Sequence, residues 1–240
     1  MKGSTKVLFL RPMLFQESVV ALVVVPMLVA IFLKFSQGVR DNILEVVMGA
    51  FTAVQVGLVL GLAVKFFLLR PALKLMEEDS PDTGELRHAV GAAAILPMAE
   101  AVTIFLRFAL SGSLIAIVPL YFKGYINTSE FMVGISSLVM IGLLVMPFFY
   151  LSAENSLVPF FQKCRMEGVL DSGQRFFSMG LNKKILATIL LVAIPPIGLI
   201  LGIIFLSVAN GLDLREMKLG FGFILIEITI MTFINGYLIT

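Results

Sequence analysis
Apolar positions in this chain fall into long, nearly unbroken runs, without the alternating or three-to-four spacing of a half-buried strand or helix. Six runs stand out, at about 18–35, 43–69, 103–122, 131–151, 185–209 and 219–240. Most reach the roughly 20 residues that an α-helix needs to cross a hydrocarbon core of about 30 Å. In lipid only helices and closed barrels satisfy every backbone group. The runs therefore predict an all-α integral membrane protein, a single six-transmembrane-helix bundle made of three helical hairpins. Short polar turns at 36–42, 123–130 and 210–218 close the hairpins, and two amphipathic connectors, 70–102 and 152–184, join them.

The connectors resemble each other. Leu69-Arg70-Pro71 recurs 88 residues later as Leu157-Val158-Pro159, and each proline is followed 16 residues on by an arginine, Arg87 and Arg175. The second, fourth and sixth runs start near Ile43, Phe131 and Leu219, at the same interval. A fixed period suggests a repeated architecture; two independent membrane exits, each with a proline past the helix end, would give the same echo. A threefold repeat expects a third proline one period beyond Pro159, seven residues past Thr240. Within the first connector Ser80-Pro81-Asp82-Thr83-Gly84 breaks the chain, and a helix beginning near Glu85 is expected to run on into the third span. The second has its own break at Gly168 to Gly173. Pro26 predicts a kink in the first span, and Pro195-Pro196 a bend in the fifth.

Composition agrees with this picture. Apolar residues make up 59 % of the 240 and charged residues 14 %, with a mean hydropathy of +1.01; a soluble domain carries about a quarter charged residues. Of the 18 Lys and Arg, 13 lie on or at the margin of the side holding the N-terminus and both connectors, and five on the other. Positive residues mark the cytoplasm, so both termini and both connectors are expected there. Lys2, Lys6 and Arg11 precede the first run as in a signal peptide, but no small-residue cleavage site follows, so an uncleaved span is expected. A net charge of +2 gives no reason to expect nucleic acid.

Polar residues within the runs are the candidate site. Glu227 lies eight residues into the sixth span, where an ionisable side chain is costly and raises a functional hypothesis, and Gln55 in the second span is at a depth to pair with it. An interhelical hydrogen bond that sets packing is the alternative. Glu100 and Arg107, two turns apart on one face of the third span, suit an interfacial network or contacts with anionic lipid heads, either as an anchor or as a site. Lys65, near the end of the second span, is expected to snorkel toward the headgroups. Glu45 is expected to reach water. Gly57-x-x-x-Gly61, Ser111-Gly112-Ser113 and Gly134 read as small residues for close helix approach. Ten phenylalanines near the inner boundary (Phe66, Phe67, Phe105, Phe108, Phe148, Phe149, Phe160, Phe161, Phe176 and Phe177) read as lipid-facing packing. Pro195 and Pro196, with Glu227, are candidates for a movable part.

Other chemistry lacks its scaffold. A single cysteine, Cys164, allows no intrachain disulfide and too few thiols for a zinc cluster, and it reads as an ordinary reduced thiol. His88 is the only histidine. Nucleotide-loop and nucleophile-elbow motifs do not occur. The acidic run Glu77-Glu78-Asp79 reads as a solvated connector rather than a magnesium site. Neither a cofactor nor a metal site is expected.

The hairpin series, the exit LRPALKLMEEDSPDTGELRHAV with its echo LVPFFQKCRMEGVLDSGQRFFSMG, and the span ILATILLVAIPPIGLILGIIF resemble a known bacterial arrangement. It is that of the six-helix membrane input domains preceding a HAMP linker and a class III adenylate cyclase, a histidine kinase or a chemoreceptor output. The resemblance covers nearly the whole chain and rests on layout and composition. It implies a homodimer in the bacterial inner membrane, a sixth span that continues into HAMP, and a cytoplasmic output domain, foremost a cyclase making cAMP from ATP with Mg. On this reading the chain carries no catalytic residue, and its stimulus is lipid, a small amphiphile or an ion, because the outer turns are short. A small transporter or substrate-binding transport subunit is the alternative, and a membrane enzyme the third reading.

Overall fold
A computed structural model describes residues 11–77, 83–166, 181–209 and 214–239, all of them in helices or the short turns between them. Helix α1 (Arg11–Val19) passes through a π-helical stretch (Val20–Val24) into α2 (Val25–Phe35). A short α3 (Gln37–Asp41) turns the chain into α4 (Ile43–Glu77). Helix α5 (Thr83–Leu106) continues as a second π-helical stretch (Arg107–Ile117) and a short α6 (Val118–Phe122). Then follow α7 (Thr128–Met166), α8 (Leu181–Ala209) and α9 (Leu214–Ile239). Among the described residues, five segments are long and apolar enough to cross a membrane: Leu14–Lys34, Ile43–Lys74, Arg87–Phe122, Thr128–Gln162 and Ile185–Val208. This is the character of a multi-pass membrane protein. The expected sixth span falls on α9, whose apolar part among the described residues is the shorter Ile224–Asn235.

Helix α7 is the centre of the bundle. It packs on α5 and its π-helical continuation, on α8, on α9 and on α1. Val24, Ile104, Ile141, Leu144, Phe148 and Met231 are among the side chains buried in the main core. The outward faces are apolar too, with Leu22, Val59, Phe67, Phe122, Val208 and Phe233 all exposed. In water such a surface would be a liability; against lipid it carries no cost.

The helices do not end at the two prolines. Helices α4 and α7 continue through Pro71 and Pro159, to Glu77 and Met166. At 35 and 39 residues, they are about 52 and 58 Å long at 1.5 Å per residue, well beyond the hydrocarbon thickness. Their extensions meet in a second core, where Leu69 and Leu157, one 88-residue interval apart, are both fully buried with Ala72 and Phe160, against Ala89, Ala93 and Leu96 of α5. Cys164 is buried there as well. Residues 78–82 and 167–180, with the expected breaks, Arg175, Phe176 and Phe177, lie largely or wholly outside the described residues. The remaining phenylalanines divide: Phe108, Phe148, Phe149, Phe160 and Phe161 are core, Phe105 is half-buried, and Phe66 and Phe67 face outward. Lipid-facing packing therefore accounts for only some of them.

Prolines also mark the π-helical stretches. In both, the last wide bond runs from the residue just before a proline: Val25 N–H donates to Val20 O, and Val118 N–H to Ser113 O. Pro26 and Pro119 follow. A proline has no N–H and its ring crowds the carbonyl of the preceding turn, and a widened turn gives that carbonyl room. At Pro195-Pro196, by contrast, α8 runs on as one helix with both rings buried.

At its N-terminus, α7 starts with a capping box. Asn127 Oδ1 accepts from the Glu130 N–H (2.9 Å) and Glu130 Oε2 from the Asn127 N–H (2.8 Å), which satisfies two donors reciprocally. Glu45 is exposed and takes hydrogen bonds from Lys123 Nζ and from Tyr125 Oη (3.1 Å). The hydrogen bond to Glu45 is the main cause holding the Lys123 pKa above its ordinary 10.5. Its contribution to stability is thus present below the ordinary lysine value and fades as pH rises through the elevated one.

The turns at 36–42 and 123–127 touch at Gly38, where a Cβ would collide with the Tyr125 carbonyl oxygen. Gly38→Ala gains about 1 kcal/mol of helix propensity, but it drives a methyl into backbone. The expected net loss is about 1–3 kcal/mol, typical of overpacking, read as a lowered midpoint of denaturation in detergent.

Candidate functional site: a buried charge network
Two ion pairs lie side by side within the apolar spans. Lys65 of α4 meets Glu100 of α5, with Nζ 2.6 Å from Oε1 and only 4 % and 7 % of the two side chains exposed. Gln16 of α1 joins them: its amide oxygen accepts from Lys65 Nζ (3.1 Å), and its Nε2 donates to Glu100 Oε2 (2.9 Å) and to the Phe149 carbonyl (3.4 Å). Next to it on α1, Glu17 receives both arms of the Arg107 guanidinium, at 2.6 and 2.9 Å. This fork-to-carboxylate geometry is the strong form of a charged hydrogen bond. The cluster holds two cations and two anions and so is neutral as a whole. A charge of this kind in a membrane span costs about 3 kcal/mol on insertion scales, and each finds its counter-charge here.

The chain's local structure places these groups. Antiparallel α4 and α5 bring Lys65 level with Glu100. Two turns further along, Arg107 lies against Gly57 and Gly61. A Cβ on Gly57 would stand 2.8 Å from Arg107 Nε and 3.1 Å from its Cγ; one on Gly61 would stand 3.4 Å from an arginine nitrogen. The Gly-x-x-x-Gly pair is therefore a trough for the Arg107 side chain, rather than a point of bare backbone contact. Gly134 does serve close approach, its missing Cβ falling 3.2 Å from Phe32 and Ile117 side-chain atoms.

Arg107 is also the first residue of the 11-residue π-helical stretch, in which Arg107, Gly112 and Ile117, and alongside them Phe108 and Ser113, are buried. The five-residue interval matches the i→i+5 bonding of a π-helix, a rare conformation that is frequent at functional sites.

Several expectations change. Glu100 and Arg107, two turns apart on the third expected span, are both buried and are paired with different partners, Lys65 and Glu17. Lys65 does not snorkel; it is buried and paired. The first span starts earlier than Ser18, since its apolar segment begins at Leu14, and that places Gln16 and Glu17 inside the bundle. Gln55 is exposed on α4, a helix that packs mainly on α5 and the second π-helical stretch, whereas α9 packs on α7, α8 and α2. Glu227 lies on α9, and its side chain is outside the described residues.

A second polar group lies where α7 meets the end of α9. Glu154 is buried, Asn155 Nδ2 donates to the Leu238 carbonyl (2.9 Å), and Asn235 is 1 % exposed with neither amide atom hydrogen-bonded among the described residues. No set of residues among those described is arranged to hold a metal ion. Compared with protein-family models, curated proteins and solved structures, the chain shows no significant match.

Proposed function
We propose that the chain is a sensory membrane domain that passes a signal through its last helix to a cytoplasmic output, foremost a cyclase making cAMP. The reading keeps the expected setting: bacterial inner membrane, termini in the cytoplasm, a homodimer, with ATP and Mg needed only by the output. One observation carries it, the Gln16–Glu17 junction with Lys65, Glu100 and Arg107, which ties the first span to α4 and α5 by charge at the start of a π-helical stretch. A sensor needs two arrangements and a stimulus that binds them unequally. A π-helical stretch of two wide turns supplies the second arrangement: tightening to α turns its two ends relative to each other and so shifts the packing around the Arg107–Glu17 bond. Helix α7 touches both this region and α9, and it provides the route toward the C-terminal side.

The test joins the full chain through α9 to a HAMP–cyclase output in cells that lack cAMP. Glu17→Gln is expected to change cAMP, measured per unit of chain in the membrane, at least about threefold, corresponding to a shift of roughly 0.7 kcal/mol between two states. Output that follows only the amount of protein defeats the proposal. Uptake of a labelled solute by the chain in liposomes, with output unaffected, would favour a transporter instead.

A further inference from the structure
The geometry points to a binding site for a hydrocarbon chain between the first span, α4 and the second π-helical stretch. A cavity of about 80 Å³ lies there, walled by Leu28 and Phe32 of α2, Ala50 and Ala53 of α4, and Ala116 and Ile117 of the π-helical stretch, among others. Among the described residues, Arg107 is the only ionic one on its wall. A water needs about 10–15 Å³ and two to four polar partners, and apolar cavities of this order stay dry and take up apolar molecules. The space is thus large enough for an occupant and too apolar for water.

Charge narrows the ligand further. Arg107 already has a two-pronged bond to Glu17, so a charged headgroup would find no free counter-charge and would have to break the ion pair. The occupant is therefore the uncharged, hydrocarbon part of a molecule. A separate pocket of about 20 Å³, lined by Gln16, Lys65 and Glu100, shares only Ile104 and Arg107 with the cavity. Part of the cavity wall is the widened helix itself, so an occupant stabilises the π arrangement over a tightened one. This last step rests on the sensory reading; binding itself does not.

The same chemistry has two sources, the acyl chain of a bilayer lipid and a free apolar molecule. The full chain in phospholipid nanodiscs is photolysed either with a free alkyl-diazirine or with a phosphatidylcholine carrying the diazirine on its acyl chain, and labelled peptides are mapped by mass spectrometry. Saturable labelling of residues 46–54 and 112–120 is expected, reduced about tenfold by excess hexanol for the free probe. Ala53→Leu, which fills the cavity, is expected to remove it, while Val59→Ala on the outward face leaves it unchanged. Saturable labelling there by the lipid probe alone assigns a lipid chain, and by the free probe alone a small apolar molecule; both support the site. Non-saturable labelling confined to outward residues such as Leu22, Val59 and Phe67 overturns it in the unsubstituted chain, whether or not Ala53→Leu folds. No output is read, so failure here is distinct from failure of the sensory reading.

Discussion

Lys65→Met should destabilise the bundle by about 3–5 kcal/mol, because it leaves Glu100 as a buried charge without its counter-ion. Methionine matches lysine in length and leaves no large void, so the loss isolates the charge. Gln16 still donates to Glu100, but a neutral amide does not neutralise a carboxylate. The double variant Lys65→Met, Glu100→Leu removes both charges and should recover most of the loss, since apolar replacement of an entire buried pair is often neutral or stabilising. The exposed pair Lys74–Glu85, 3.3 Å apart with side chains 62 % and 51 % exposed, provides the contrast. Lys74→Met should cost no more than about 1 kcal/mol. Denaturation midpoints in mixed micelles compare the variants. Equal effects at positions 65 and 74 would mean that Lys65 reaches solvent.

Gly57→Ala should cost about 2 kcal/mol, whereas Gly61→Ala four residues on should be neutral or stabilise. Both replacements gain about 1 kcal/mol of helix propensity. At Gly57 the new methyl meets Arg107 at its Cβ and Cγ as well as Nε, all within 3.3 Å. Those atoms lie near the root of the side chain, so the arginine as a whole must leave its trough, and the bond to Glu17 goes with it. At Gly61 the nearest arginine atom is 3.4 Å away, an ordinary contact. The diagnostic is non-additivity: with Ala at 57, Glu17→Gln should have little further effect. If both glycines tolerate Ala equally, the trough is wrong.

Membrane character was legible because it needs only run length and composition: the apolar runs correspond to five segments able to cross a membrane and to a shorter one. The depth of individual polar groups was less legible. Lys65 stands near the end of its apolar run, where snorkelling is the default, and only the antiparallel placement of α5 supplies Glu100 as a partner. Gln16 and Glu17 fall just before the first run as its apolar residues define it, and only contact with α4, α5 and the second π-helical stretch draws them inside. The two-turn spacing of Glu100 and Arg107 drew attention to both residues, but their partners, Lys65 and Glu17, lie on other helices. A search based on 3.6-residue periodicity also misses burial at five-residue intervals. The available hint was local, a Val-Pro pair at the end of each widened stretch, but Pro71, Pro97, Pro147 and Pro159 lie in α-helix without such widening.

The central claim is that Glu17 and Arg107 fasten the first span to the π-helical stretch. A double-mutant cycle with Glu17→Gln and Arg107→Gln, in the full chain in bilayers, measures this most directly. A coupling of about 2 kcal/mol or more is expected, since either single change strands a buried charge that the double change removes. Additive effects, with a coupling near zero, would contradict the account.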